Sequence, residues 1–365
     1  LDRQITTTFR KCQVSVENAT TGSNLVKLLE GASATVITTI INKFETAVRG
    51  LKAPLTDPNI FVLIDEGHRS QYGEMGIKME KALPNACFIA MTGTPLMKKE
   101  KSTAAKFGGI IQPIYTVDQA VKDGAVVPLL YEGRMVPQEV HADSIDRYFD
   151  RICEWMTDAQ RTDMKKKFSR ADQVSQAEQR VYAIAWDISQ HFRKNWQGSK
   201  FKAQLVAPRK RIAIMYKKFL DEIGIVSSEV LITSPDTREG EDIAFGETSN
   251  TELAFWKQMM DEHGTPKKYE QNIINRFKNS DKPEIIIVVD KLLTGFDEPK
   301  NTVLYLDRKL KDHTLLQAIA RVNRVCDDKE FGYIVDYYGV FSNLNDALEI
   351  YTDFDQEDLV GTYTD

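Results

Sequence analysis

IFVLIDEGH, residues 60–68, joins a short apolar run to two adjacent carboxylates. Short runs rich in β-branched residues that end in an acidic residue are typical of strands buried in a parallel sheet. Asp65 and Glu66 would then leave the carboxyl edge of that sheet, where open α/β folds bind their ligands. Asp65 is a candidate ligand for Mg²⁺, directly or through water, and Glu66 is a candidate base for the water that attacks a γ-phosphate. The alternative is an ordinary acidic strand end; His68, three positions after Asp65, favours the catalytic interpretation.

A second apolar run, Ile285–Val289, is also followed by an aspartate. Amphipathic stretches such as Arg211–Ile223 lie between the runs and place apolar side chains at helical spacing. This alternation of strand and helix predicts an α/β protein with two open parallel sheets. The shorter strand candidates are residues 35–39, 87–91, 204–207, 302–306 and 332–336.

The length of 365 residues is sufficient for two domains that each bury a core. We predict a first domain at residues 1–120 and a second at residues 121–345. Within the second, residues 143–197 lack strand runs and show helical periodicity, which predicts a helical insertion. Residues 235–251 are polar and predict a surface loop. The last segment, residues 346–365, is an acidic C-terminal extension with seven carboxylates and no Lys or Arg.

The composition is that of an ordinary globular protein, with 42% hydrophobic and 28% charged residues. No apolar run approaches the roughly 18 residues that would suggest a membrane span. The four cysteines form no Cys-x-x-Cys pair, and no His-Glu-x-x-His occurs, so a structural zinc site is not indicated. We therefore expect a soluble, cytoplasmic protein with reduced thiols and no contact with a membrane.

Charge is distributed unevenly along the chain, although the formal net charge is only -5. The segment Arg193–Lys218 has nine basic residues and no acidic one. It predicts a surface that follows a phosphate backbone without reading bases, and the alternative is a solvated helix face.

The next predicted strand ends in MTGTP, residues 91–95. Small hydroxyl residues around a glycine predict a tight turn whose side chains can bond to the neighbouring acidic loop. Thr92 and Thr94 are therefore candidates for coupling the phosphate site to bound nucleic acid. Taken by itself, the segment is also compatible with a purely structural turn.

The stretch TGFD, residues 294–297, follows the second apolar run. Thr294, Gly295 and Asp297 offer a hydroxyl, a flexible backbone and a carboxylate at the sheet edge. They could contact a ribose, a phosphate backbone or both. A plain exit from the strand is the alternative.

LLQAIARVNR, residues 315–324, predicts a helix with Gln317, Arg321 and Arg324 on one face. Guanidinium groups suit phosphate oxygens, and two of them projected together are costly to bury without anions. Arg324 is our preferred candidate for stabilising the charge that grows on a transferring phosphate, with Arg321 beside it. A solvated basic helix face is the alternative.

These four elements, in this order and spacing, resemble the core of superfamily 2 helicases and translocases. Residues 65–68 look like motif II, 92–95 like motif III, 294–297 like motif V and 317–324 like motif VI. The amino-acid sequences of these motifs are similar to those in the restriction (R) subunit of type I restriction-modification enzymes. The resemblance implies two RecA-like, doubly wound parallel-sheet domains that bind ATP and Mg²⁺. The nucleotide-binding residues that it implies are Asp65, His68, Gly295, Asp297 and Gln317.

Weaker similarity extends over nearly the whole chain. Residues 1–4 resemble the end of motif Ia; residues 36–44, with Thr38 and Thr39, resemble a DNA-side segment; and residues 207–211 resemble motif IV. The implied DNA contacts are Thr38, Thr39, Arg209, Lys210, Arg211 and Thr294. Family membership also implies translocation along double-stranded DNA without strand separation, in an assembly with methyltransferase and specificity subunits.

Two departures from the family pattern qualify this expectation. No Gly-x-x-x-x-Gly-Lys-Ser/Thr loop occurs in the chain, so we expect that loop upstream of Leu1 and little ATP hydrolysis by residues 1–365 alone. The nuclease site of the family also has no good match, because Asp307-Arg308-Lys309 fits its last part only formally. The alternatives are another superfamily 2 DNA helicase or repair translocase, or a noncatalytic module that binds DNA or docks a partner.

Overall fold

The computed structural model describes residues 2–31, 36–65, 72–91, 111, 115–134, 176–235, 246–310 and 312–339. The chain divides into two compact units, residues 1–114 and 115–365. A boundary at residue 120, as predicted, would fall inside the helix Val117–Lys122 of the second unit. The other predicted domain limits stay predictions.

In the first unit, helices alternate with short parallel strands. The strands form two pairs, β1 with β2 and β3 with β4. The elements are α1 (Asp2–Lys11), β1 (Val16–Asn18), α2 (Gly22–Glu30), β2 (Val36–Thr38), α3 (Ile41–Gly50), β3 (Phe61–Asp65), α4 (Tyr72–Ala82) and β4 (Cys87–Met91).

The core of the first unit lies between α2, α3 and α4. Leu25, Phe44 and Leu83 are buried there, and Val62 and Ile64 of β3 pack against this cluster. The opposite face of β3 is open: Phe61 is 66% exposed and Leu63 57% exposed. The prediction of a fully buried strand is therefore wrong at alternate positions. Side chains alternate between the two faces of a strand, and the described residues cover one face of β3.

The second unit contains a six-stranded sheet in the order β5-β10-β9-β6-β8-β7, and every neighbouring pair in it is parallel. The predicted parallel α/β organisation is thus confirmed here. The elements are α5 (Val117–Lys122), β5 (Leu129–Gly133), α6 (Gln176–Asn195), β6 (Lys202–Val206), α7 (Lys210–Ile223), β7 (Ser228–Leu231), α8 (Gly246–His263), α9 (Pro266–Asn279), β8 (Ile285–Val288), β9 (Asn301–Leu306), α10 (Asp312–Ile319) and β10 (Gly332–Asp336).

Helices cover both faces of this sheet, so the second unit is doubly wound. Alternate residues of the central strands enter two separate clusters: Ile285 and Ile287 face α6 and α7, whereas Ile286 and Val288 face α8, α9 and α10. Burial on both faces explains why these strands read as continuous apolar runs in the sequence.

Two predicted segments differ from the structure. Residues 176–195, assigned to a helical insertion, form α6, which packs on the sheet as part of its main helical layer. The predicted loop 235–251 is helical from Gly246 onward, because α8 begins there. The rest of the predicted insertion, residues 143–175, and the acidic extension lie outside the described residues.

No helix in the described part of the chain has the length and apolarity that a bilayer span requires.

Candidate functional site

Asp65 is the last residue of β3, paired in register with Met91 of β4, and its side chain is exposed. Within the described segments, no hydrogen bond or ion pair engages its carboxylate, and no group of three or more His, Cys, Asp or Glu side chains could hold a metal. One exposed carboxylate fits Mg²⁺, which keeps several waters and takes one or two protein carboxylates. Four further predicted site residues lie outside the described residues: Glu66, His68, Thr92 and Thr94.

Thr38 ends β2, and it is only 8% exposed. Its hydroxyl lies 2.8 Å from that of Thr6 and accepts a hydrogen bond of 2.9 Å from the side chain of Asn18. Thr38 therefore ties β2 to α1 and β1. Thr39 is more accessible and is the better placed of the two for a ligand.

The predicted motif V segment is the loop after β8. Leu293 and Phe296 are buried in the sheet core and anchor this loop, while Thr294 and Gly295 between them are exposed. Gly295 has a φ of 67°, in the left-handed region that a residue with a Cβ rarely adopts. The anchored neighbours and this turn present Thr294 and Asp297 at the carboxyl edge of the sheet.

The predicted helix 315–324 is shorter in the structure, since α10 ends at Ile319. Two tight turns follow, with the N–H of Arg321 bonded to Ala318 O and that of Val322 bonded to Ile319 O. Asn323 O then accepts a 2.8 Å bond from Val127 N, so the chain no longer follows the helix at this point. The prediction that Gln317, Arg321 and Arg324 share one helix face is therefore wrong, and Gln317 is only 4% exposed.

The turns nevertheless bring Arg321 and Arg324 to the loop after β8. Arg321 donates from Nη1 to Phe296 O at 2.8 Å and from Nε to Gln317 O at 2.9 Å. Arg324 Nη1 donates to the carboxylate of Asp297 in an ion pair. Burial lowers the pKa of the Arg324 guanidinium below its usual range. The structure thus unites Arg321, Arg324, Gln317 and Asp297, all predicted site residues, at one edge of the sheet.

The predicted basic surface is partly structural. Lys202 is 4% exposed, and its Nζ donates to the carbonyl oxygens of Ser280, Asp281 and Pro283 at 2.7, 2.6 and 2.8 Å. The prediction of a phosphate-contacting surface is wrong for this residue, because its ammonium group is enclosed by backbone carbonyls.

Arg209, Lys210 and Arg211 lie at the start of α7. Arg209 is exposed, Lys210 Nζ donates to Ser234 O at 2.7 Å, and the backbone N–H of Arg211 donates to Glu252 at 3.0 Å. A helix N-terminus with adjacent cations favours anions. Their contact with DNA stays a prediction.

Asp307 follows β9 and is 1% exposed. Its carboxylate accepts bonds of 2.6 Å from Arg180 and 2.6 Å from the hydroxyl of Tyr216. A carboxylate buried in this way holds α6 and α7 to the sheet, so the formal Asp307-Arg308-Lys309 match has a structural role.

A second cluster of charged residues, which was not predicted from the sequence, lies beside β5 and α6. Arg134 donates two 2.8 Å bonds to Asp187 and two bonds, of 2.7 and 3.1 Å, to Glu132. With Tyr333, these residues line a depression of about 310 Å³. Because the charges pair with one another, we interpret the cluster as structural. Its members are dispersed from residue 132 to residue 333, so no local pattern could have revealed it.

His191 lies within this cluster, where its Nδ1 is 2.9 Å from the hydroxyl of Tyr305. Burial, and then the Arg134 guanidinium, lower the pKa of His191 to about 3. An unfolded chain binds a proton to this ring near pH 6.5, whereas the folded chain does so only near pH 3. The contribution of His191 to stability is therefore present above pH 6.5 and is lost as the pH falls toward 3.

We predict that His191→Gln makes the free energy of unfolding less dependent on pH across this window. Urea unfolding at a series of pH values measures the slope for both proteins. Equal slopes for the wild type and the variant would contradict the neutral, buried state of His191.

Two family models match this chain in adjacent regions. Residues 1–162 match the SWI2/SNF2 ATPase, and residues 200–339 match type I restriction enzyme subunit R domain 3.

Curated relatives agree with these matches. A provisionally assigned type I restriction enzyme endonuclease subunit, MjaIXP, of Methanocaldococcus jannaschii is 32% identical over 99% of this chain and 33% of its own length. The HindI endonuclease subunit of Haemophilus influenzae is 32% identical over 87% of this chain and 30% of its own length. The chain therefore spans about a third of the length of the relatives it matches.

The fold also has a counterpart among solved structures. A fragment of a provisionally assigned HsdR subunit of a type I restriction enzyme from Vibrio vulnificus aligns with a TM-score of 0.55 at 17% identity, over 93% of this chain and 53% of that one. At this identity the similarity concerns the fold, and it supports a RecA-like α/β arrangement of the kind predicted.

Proposed function

Because this chain belongs to the R-subunit family of type I restriction enzymes, we propose that it is the motor that couples ATP hydrolysis to movement along double-stranded DNA. The observation that carries the proposal is the convergence of Arg321 and Arg324 on the loop after β8, in a chain that also matches an ATPase model. Guanidinium groups at the carboxyl edge of a parallel sheet are suited to phosphate oxygens.

In this proposal the first unit supplies the acidic groups. Asp65, exposed at the end of β3, would hold Mg²⁺, directly or through water, and Glu66 would take the proton of the attacking water. Bound Mg²⁺ would offset negative charge on the phosphates of the nucleotide. His68, two residues after Glu66 in the sequence, would contact the nucleotide.

The second unit supplies the cationic groups. Arg324, aided by Arg321, stabilises the charge that develops on the transferring phosphate. Gln317, buried beside them, supports this part of the site, and Gly295 and Asp297 contact the nucleotide from the loop after β8. The proximity of Arg321, Arg324 and Asp297 at this sheet edge supports these roles.

DNA would be held by its phosphates, since a translocating motor cannot depend on a particular base sequence. Thr39 and the residues at the start of α7 are accessible for this purpose, together with Thr294. Thr38 fixes the end of β2 next to Thr39, and Thr92 and Thr94 transmit the state of the phosphate site. In the cell, methyltransferase and specificity subunits would complete the assembly.

Loss of the Arg324 guanidinium or of the Asp65 carboxylate should abolish ATP hydrolysis by the motor. In the full-length endonuclease subunit that carries this chain, we expect Arg324→Ala to lower DNA-stimulated ATPase turnover by about 10³-fold or more. Asp65→Asn should have an effect of similar direction because it removes the metal-binding charge. Phosphate release in the presence of duplex DNA is the measurement. Arg276→Ala, which removes a half-exposed arginine paired with Glu229, is the matched control. Wild-type turnover by Arg324→Ala would exclude this mechanism.

Removal of one phosphate contact should weaken DNA binding equally for all sequences. We expect Arg209→Ala to reduce the slope of log K against log salt by about one unit, with no change in sequence preference. Fluorescence anisotropy with duplexes of unrelated sequence, over a salt series, measures both. Arg276→Ala is the control, because Arg276 lies outside the predicted basic segment and pairs with Glu229. An unchanged salt slope would remove Arg209 from the DNA contacts.

A further inference from the structure

The loop of residues 294–299 is held by four cationic side chains. Two are the arginines already described, Arg321 on Phe296 O and Arg324 on the carboxylate of Asp297. The other two are lysines that no sequence motif indicated. Lys278 of α9 donates to Asp297 O, and Lys329 donates to Pro299 O at 3.0 Å. We call residues 294–299 the clamped loop.

Lys329 is an unusual member of this set because it is buried. Its side chain is 7% exposed, and its Nζ donates to Asn301 O at 2.9 Å as well as to Pro299 O. Burial lowers the pKa of Lys329 to about 8. Placing an ammonium group among carbonyl oxygens in the interior is costly unless the bonds it forms are needed to fix the structure.

A short stretch of the loop connects the residues that Lys329 binds to Arg324. Pro299 lies two residues after Asp297, and Asp297 holds the Arg324 guanidinium. Lys278 fixes the backbone of Asp297 itself, and the buried side chain of Phe296 fixes the start of this stretch. With Lys329 at its far end, the loop has little freedom to move, so the Asp297 carboxylate keeps a defined position.

We propose that Lys329 is a positioning residue for Arg324: by binding the carbonyl oxygens of Pro299 and Asn301, it fixes the loop whose Asp297 carboxylate sets where the guanidinium lies. The inference rests on the proposed function of Arg324 in ATP hydrolysis. A phosphate oxygen replaces the carboxylate oxygen as the partner of Arg324 when nucleotide binds, and both partners are anionic acceptors. When the loop is fixed, the Arg324 guanidinium moves only a small distance between the two acceptors. A loop that is free to move would carry Asp297, and Arg324 with it, away from the phosphate.

The test uses the full-length endonuclease subunit, with DNA-stimulated ATPase activity as the readout. Small displacements of a catalytic group can cost as much as 10²-fold in rate, so we expect Lys329→Met to lower kcat about tenfold or more while KM for ATP changes little. Lys329→Arg keeps a buried cation that can donate to both carbonyls, and it should recover most of the lost kcat.

Lys202→Met is the matched control. Lys202 is also a buried lysine that donates to backbone carbonyls, but it lies at the start of β6 and binds residues 280–283 instead of the clamped loop. Its loss should destabilise the second unit to a similar extent, measured by urea unfolding, while kcat stays near the wild-type value. An equal fall in kcat for Lys202→Met and Lys329→Met would overturn the inference, because general destabilisation would then explain both.

A double-mutant cycle separates the inference from the proposed function. Lys329→Met added to Arg324→Ala should cause no further fall in kcat, since Lys329 acts through Arg324. A further fall of the same size would overturn the positioning role. A subunit in which Arg324→Ala has no effect would instead refute the proposed function. If Lys329→Met does not fold, Lys329→Gln, which keeps N–H donors without the positive charge, replaces it under the same criteria.

Discussion

The ion pair between Arg324 and Asp297 is the interaction on which the site in the second unit depends. It joins two segments that follow different strands and helices: the loop after β8 and the turns after α10. Neither segment has regular structure of its own, so each relies on the other and on the sheet beneath it. The sheet supplies the rigid part, because its central strands are buried on both faces and fix where every loop begins.

In the second unit, several lysine side chains fix loops by donating to backbone carbonyl oxygens. Lys202 holds the turn before β8, and Lys278 and Lys329 hold the segment after it. Such bonds suit a protein whose functional groups lie in loops, since they fix the backbone without occupying the carboxylates needed for chemistry. The buried carboxylates are used differently: Asp187 and Asp307 each bind an arginine that secures a neighbouring element.

The sequence predicted the central strands well, because a strand buried on both faces is a continuous apolar run. It missed β5 and β7, which lie at the edges of the sheet and mix polar with apolar residues. The sequence predicted that Arg321 and Arg324 belong to one site, but the helix face predicted for them is wrong, because turns after Ile319 bring them together. After the helix ends, Asn323 O binds Val127 N, and no local pattern encodes a contact between residues so far apart. Lys329 was missed for the same reason, as its partners are backbone atoms about thirty residues away.

We propose that the full-length subunit that carries this chain moves along intact double-stranded DNA at the expense of ATP. Displacement of a short third strand bound to a duplex, at increasing distance from the loading site, tests it most directly in the assembled enzyme. The account predicts a lag that lengthens in proportion to distance, requires ATP, and occurs without separation of the duplex strands. A lag independent of distance, or displacement without ATP, would contradict it.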